Sequence, residues 1–181
     1  MEELDSVTVA RARRGDEQAF AALVRHYDPG LRALAFRLLG DRARMDDALQ
    51  EAYVKAYRSL PQFRGDASLG TWLYRIAYNA CLDELKRTRA VIDLESARDR
   101  TQLGSDPVDA LSTRHRLSTA LAELSPEDRA AVLLVDADGF DYRDAAEVLG
   151  IPEGTVASRL NRARAALRQT LQETRKGAAN G

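Results

Sequence analysis

Between residues 155 and 168 the chain carries Thr155, Ser158, Arg159, Asn161, Arg162 and Arg168. Their three- and four-residue steps place hydroxyls, an amide and guanidiniums on one surface of a helix. Guanidiniums and amides can bond bidentately to base edges, and all of these groups can hold phosphate oxygens. Val156, Leu160, Leu167 and Leu171, with Ala163 in the gap, form the opposite stripe that would face a core. The elements that must position such a helix stand directly upstream. Asp141 is placed as an N-cap with Asp144 three residues on, and Gly150 as the end of a short helix. Pro152 opens the next helix, where its missing N–H costs nothing. Small Ala145, Ala146 and Gly154 allow the close approach that a helix-turn-helix needs. An amphipathic helix that merely displays charge would need none of this turn chemistry, so the pattern predicts DNA binding.

Two further clusters lie in the first half. On a long helix opened by Asp41 and stopped by Pro61, residues Met45, Ala48, Leu49, Ala52, Ala56 and Leu60 make the inward face. Asp47, Gln50, Glu51, Val54 and Arg58 recur on another face, a mixture of acid, amide and exposed aliphatic. Spacing alone leaves two readings open, a solvated surface or a docking face for a protein partner rich in arginine. The second cluster is Phe63, Arg64, Ser68, Leu69, Thr71, Trp72, Arg75, Tyr78 and Asn79. Aromatic planes beside guanidiniums are how proteins hold unstacked single-stranded bases. Trp72 aligns with Leu69, Leu73 and Ile76 and reads as core, whereas Tyr74, Arg75, Tyr78 and Asn79 are expected to face outward. Ser68 is expected to cap the helix that carries them.

Composition excludes several classes. Hydrophobic residues make up 45% and charged residues 30% of 181, ordinary for a globular chain with a real core. No apolar run approaches a membrane span, and the acidic start MEELDS is not expected to be a signal peptide, so the chain is expected in the cytoplasm. Its one cysteine, Cys81, precludes an internal disulfide or a cysteine metal cluster and reads as a buried thiol. His26 and His115 lack partners at ligand spacing. No nucleophile triad, phosphate loop, metal set or cofactor motif is present, so no catalytic residue is expected. Net charge is only −1, but its distribution is uneven: residues 157–176 hold six basic side chains against one acidic, and residues 90–110 hold five acidic against two basic.

Helical spacing and few prolines predict an all-α fold of two small helical domains joined by a flexible acidic linker. The first would cover 1–89, with helices divided at Gly15–Asp16, restarted at Asp28–Pro29 and closed at Gly40. From Thr88 onward helical spacing fades, and 90–106 is expected to be linker. The second domain, 107–176, starts at Asp106–Pro107, with Val108, Leu111, Leu117, Leu121 and Leu124 on one helix face. Ser125–Pro126 opens another helix that ends at Asp138–Gly139, before the helix-turn-helix. Residues 177–181 are expected to be a disordered tail.

Taken together, the two halves resemble a bacterial RNA polymerase sigma factor of the extracytoplasmic-function (ECF) group, in the sigma-70 family. The resemblance rests on DDALQEAYVKAYRSLPQFRGDASLGTWLYRIAYNACLDELKR and on LAELSPEDRAAVLLVDADGFDYRDAAEVLGIPEGTVASRLNRARAAL. It implies that 1–89 is sigma domain two and 107–176 sigma domain four. Residues 46–58 would then hold the beta-prime clamp helices of polymerase core, through Asp47, Gln50, Glu51, Val54 and Arg58. Residues 63–87 would open and read the minus-ten element, and 155–168 would read the minus-thirty-five element. It further implies contact with the beta flap, a linker threading the polymerase, and an anti-sigma factor, often membrane-linked, that masks both working faces. Ala157 stands where many relatives carry a basic residue, and Asn161 where a bulkier side chain is common, so base preference does not transfer. A free-standing helix-turn-helix regulator would leave the first half and the acidic segment without a role. A helical interaction protein, such as a regulator of a sigma factor, is the second rival, and stable association with polymerase core would favour the sigma reading over it.

Overall fold

A computed structural model of the chain describes residues 4–95 and 113–179, with side chains over 4–90 and 117–172. Every described element is helical. Four helices come first: α1 (Ser6–Arg13), α2 (Glu17–Leu39), α3 (Arg42–Ser59) and α4 (Leu69–Glu95). Each start is fixed by a side-chain cap that satisfies an otherwise unpaired backbone N–H. Asp5 accepts from the Thr8 amide, Asp16 from Ala19, Asp41 from Arg44 and Ser68 from Thr71, at 2.8–3.0 Å. Gly40 ends α2 in the left-handed region at φ 70°, a conformation that costs a residue with a Cβ. A 3₁₀ turn around Pro61, Leu60–Gln62, closes α3.

Four more helices follow: α5 (Thr113–Glu123), α6 (Pro126–Val132), α7 (Tyr142–Leu149) and α8 (Glu153–Ala179). Ser125 caps α6 through the Asp128 amide, and α6 widens into a π turn over Leu133–Ala137. Asp141 caps α7 through the Asp144 amide at 2.7 Å, and Gly150 at φ 66° turns the chain into α8. Helices α5, α6 and α7 all pack on α8, while α4 packs on α7 and α2 on α5 and α6. The two groups of four therefore share a seam. The core runs through it, from Leu23, Leu34 and Leu49 to Leu134, Val156 and Leu160, each at most 1% exposed. Cys81 is enclosed at 0% exposure, and burial pushes its thiol up to about 12.

The structure corrects five expectations. Asp28 and Pro29 do not restart a helix, because α2 runs straight through them. The Asp28 carboxylate accepts instead from Arg32 Nε (2.9 Å) and the Tyr53 hydroxyl (2.7 Å), so it is not a cap. The continuous apolar face of Leu23, Tyr27, Leu31 and Leu34 outweighs the roughly 3 kcal/mol that an internal proline costs. Helix α4 does not fade at Thr88 but reaches Glu95, so 90–95 is helical. The Thr88 hydroxyl bonds back to the Glu84 carbonyl at 3.0 Å, which lets the β-branched residue sit in a helix. Leu117 is 44% and Leu171 36% exposed, so neither belongs to the buried stripe of its helix. Helix α8 continues through Ala179, so the first residues assigned to a tail are helical. The rest of the expected linker, with Val108 and Leu111, lies outside the described residues.

Gly30 shows how tightly the first four helices pack. A Cβ there would stand 2.1 Å from the Tyr74 hydroxyl, which is buried under α2. Helix propensity alone predicts that Gly30→Ala stabilises by up to about 1 kcal/mol. Overpacking predicts the reverse, a loss of about 1–3 kcal/mol. We expect the loss, and we expect Tyr74→Phe in the same chain to recover most of it in thermal unfolding. Stabilisation by Gly30→Ala alone would show that α2 and α4 are not in this register.

Candidate nucleic-acid and polymerase interfaces

The first surface is a groove between α3 and α4. Asp47, Gln50, Glu51, Val54 and Arg58 all line one concavity of about 700 Å³, so the face anticipated from helical spacing is a single physical site. Val54 in its lining is 44% exposed, an aliphatic side chain left uncovered among charges. From the α4 wall, Arg87 donates from Nη1 and Nη2 to the two Glu51 oxygens at 2.9 and 2.7 Å. Those hydrogen bonds hold the Glu51 carboxyl below its ordinary value. A carboxylate has about four lone-pair sites, so two remain for an incoming donor. Arg44 at 3.2 Å and Arg87 at 3.7 Å also converge on Glu84, which braces the floor of the groove. Spacing within α3 could not reveal these α4 partners, 36 or more residues away.

The second surface surrounds the start of α4. Phe63 and Trp72 pack ring to ring with centroids 5.2 Å apart, and both are half-buried. Arg64, Arg75 and Asn79 are exposed. Thr71 is 1% exposed and bonded through its hydroxyl to Ser68 at 2.8 Å, so this pair builds the helix start. Tyr74 and Tyr78, expected to face outward, are 3% and 2% exposed. The reason is non-local: the last four helices cover this flank of α4. Tyr74 meets Phe140 with ring centroids 4.8 Å apart, and Arg159 of α8 reaches the Tyr78 hydroxyl. Burial raises the Tyr78 pKa, outweighing the opposite pull of the Arg159 charge.

The third surface is α8. Val156, Leu160 and Ala163 are 0% exposed, and Ser158, Asn161, Arg162 and Arg168 lie on the outer side. Thr155 and Arg159 are half-buried. Leu149 and Val148 of α7 enter the core beneath α8, while Ala145 at 0% exposure permits the close crossing. Arg162 forks onto Asp128 of α6 with bonds of 3.3 and 2.8 Å, from Nε and Nη2. Arg164 does the same to Asp136 at 2.9 and 2.5 Å, and its pKa is raised by that bond. Such bidentate pairs fix α8 against the body of the molecule. Each spans about thirty residues of chain, beyond any local sequence signal.

Among the described residues no group of histidine, cysteine, aspartate or glutamate could hold a metal ion, and no helix is long and apolar enough to cross a membrane. The class so described is an all-helical protein with a capped short helix, a tight turn and an arginine-bearing second helix, beside a separate amphipathic groove. The comparisons sharpen that class. Sigma-70 region 2 matches residues 23–91, and Sigma-70 region 4 matches residues 114–167. The ECF RNA polymerase sigma factor SigM of Mycobacterium tuberculosis is 39% identical over 175 residues, which cover 94% of this chain and 86% of that one. The RNA polymerase sigma-H factor of Pseudomonas aeruginosa is 37% identical over 192 residues, 94% and 95% of the two chains. Among solved structures, the sigma factor RpoE of Bartonella quintana, in complex with the anti-sigma factor NepR, superposes with a TM-score of 0.72 at 28% identity. That match covers 84% of this chain and 96% of the other. The chain belongs to the extracytoplasmic-function group of RNA polymerase sigma factors. It is thus an alternative sigma factor, which directs polymerase to promoters.

Proposed function

We propose that the groove between α3 and α4 is where polymerase core docks, with Asp47, Gln50, Glu51, Val54 and Arg58 meeting the beta-prime clamp helices. The observation that carries this is the convergence of all five side chains, an uncovered valine among them, on one concavity. The loop before α4, with exposed Arg64, Arg75 and Asn79, opens and holds the minus-ten strand. Residues 155–168 of α8 read the minus-thirty-five duplex, and residues 1–89 and 107–176 act as sigma domains two and four. The chain performs no chemistry of its own and works in the cytoplasm. Control by an anti-sigma factor is supported by the likeness to a sigma factor solved with one.

On α8, reading and anchoring should separate. Ser158, Arg159 and Arg162 lie in the half of a recognition helix that enters the groove, and Arg168 lies further along, toward a phosphate. Nε and Nη2 of Arg162 are engaged by Asp128, which leaves Nη1 outside that fork. A lost base contact costs about 1–3 kcal/mol and relaxes one position, whereas a lost phosphate contact weakens all sequences alike. Arg162→Ala in holoenzyme should therefore change the upstream sequence selected from randomised duplexes. Arg168→Ala should keep that sequence and flatten the salt dependence of affinity by about one unit of slope. Ala157 offers only a methyl group, so its facing base should be read weakly or through a thymine methyl. The same selected sequence from wild type and both variants would overturn this division of roles between Arg162 and Arg168.

A further inference from the structure

Two arginines of α8 fork onto carboxylates of the helical body, and the two forks are not alike. Arg164 is held by Asp136 and also bonds the Tyr142 hydroxyl, and the two members of its fork are equally exposed, at 36% and 37%. Its guanidinium is shared between two partners of its own chain. In the other fork the Arg162 side chain is 61% exposed, whereas the Asp128 carboxylate that grips it is 16% exposed. An open guanidinium is held by a sunken acid. Arg162 also stands three residues beyond Arg159, four beyond Ser158 and seven beyond Thr155, on the strip of α8 that carries the reading groups. Arg164, two positions on, lies toward the opposite side of the helix.

Asp128 is itself fixed from below. It lies in the first turn of α6, where Pro126 sets the entry of the chain. The Asp128 amide donates to Ser125 Oγ at 3.1 Å, and the neighbouring Arg129 amide donates to the Ser125 carbonyl at 2.9 Å. From that tied backbone, Oδ2 accepts from Arg162 Nε at 3.3 Å and Oδ1 from Nη2 at 2.8 Å. A guanidinium is planar, so a carboxylate on its Nε–Nη2 edge sets the plane of the whole group. The fork leaves the edge where Nη1 and the second N–H of Nη2 run parallel. Two parallel donors match the O6 and N7 acceptors of guanine, a pair that no other base offers in the major groove. A long side chain that is already ordered also gives up less freedom when it binds.

We propose that Asp128 is a specificity-determining positioning residue: by holding Nε and Nη2 of Arg162, it aims the remaining edge of that guanidinium at a single guanine of the upstream promoter duplex. This rests on the reading of the minus-thirty-five element by α8 given above. Asp128 touches no base and acts through Arg162. Without its carboxylate the guanidinium samples other rotamers, meets phosphates and several base edges, and discriminates less while still binding.

The test selects randomised duplexes with reconstituted holoenzyme carrying wild type, Arg162→Ala, Asp128→Asn, Asp136→Asn, or Asp128→Asn combined with Arg162→Ala. Asparagine keeps the size of the side chain and the capped amide, but it has one acceptor oxygen where the carboxylate has two. Wild type should select guanine at the position whose preference Arg162→Ala loses. Asp128→Asn should lower that preference about tenfold and leave every other position as in wild type. The combined variant should match Arg162→Ala alone, because the two residues act as one unit. Asp136→Asn breaks the other fork on α8 and should keep the wild-type sequence, so a loss through loosened packing would appear in both asparagine variants. Circular dichroism melts of the free chains show that each is folded. Asp128→Ser, a second way to remove the carboxylate, should repeat the loss. Wild-type preference in Asp128→Asn and Asp128→Ser, or an equal loss in Asp136→Asn, would overturn the positioning role. Another base at the Arg162 position would overturn the edge assignment. If Arg162→Ala itself selected the wild-type sequence, the reading by Arg162 would fail and the positioning role with it.

Discussion

Reversing charge at Asp47 and Glu51 together is expected to weaken association with polymerase core by about a hundredfold or more, since like charges facing across an interface cost several kcal/mol. Both carboxylates line the groove between α3 and α4, and neither belongs to the core of the fold. Helix content and the cooperativity of thermal unfolding should be retained. One complication has a direct control, because Glu51 is bonded to Arg87 and reversal also breaks that bridge. Arg87→Ala breaks the same bridge and leaves the carboxylate in place. It should retain core binding if the groove recognises acid, and should lose it if the bridge merely shapes the groove. Co-purification and titration with core polymerase measure both. Undiminished binding by the double reversal would mean that core docks elsewhere.

Promoter opening should fail when Arg64 and Asn79 are both replaced by alanine. Both side chains are exposed on the loop and first turns that carry Phe63 and Trp72. Contacts to an unstacked base are worth about 1–3 kcal/mol each, so the double change should lower open complex by roughly tenfold to a thousandfold. Closed-complex formation through α8 should survive, because neither residue lies on it. Permanganate reactivity of thymines in the minus-ten region separates the two steps. Wild-type reactivity in the double variant would take this loop out of strand holding.

What could be read from the sequence is what depends on neighbours a turn or two away. The caps at Asp16, Asp41, Ser68, Ser125 and Asp141 use residues three positions on, and Gly150 uses its own backbone freedom. The faces of α3 and α8 follow from periodicity, so the buried stripe of Met45, Ala48, Leu49, Ala52 and Ala56 was legible, as was that of Val156, Leu160 and Ala163. Pro29 was misleading because a local rule met a continuous apolar face that outweighed it. Tyr74 and Tyr78 were misleading for a different reason: a tyrosine beside arginine and asparagine looks outward until a distant helix covers it. The forks of Arg162 on Asp128 and Arg164 on Asp136 join groups 34 and 28 residues apart, and only the folded chain pairs them.

Cys81 has a consequence for signalling. Thiol oxidation needs thiolate character and access, and this thiol has neither, sealed at 0% exposure with its pKa pushed up to about 12. As the sole cysteine among these 181 residues, it leaves the chain without a thiol with which to sense oxidants or form a mixed disulfide. A thiol-borne redox signal that alters promoter choice through these residues would therefore be received by another molecule and relayed as a change in binding. The same silence is useful at the bench. A cysteine introduced at an exposed site such as Val7 would be the one thiol that maleimide dyes reach, so a donor or spin label could be placed without first removing the native residue.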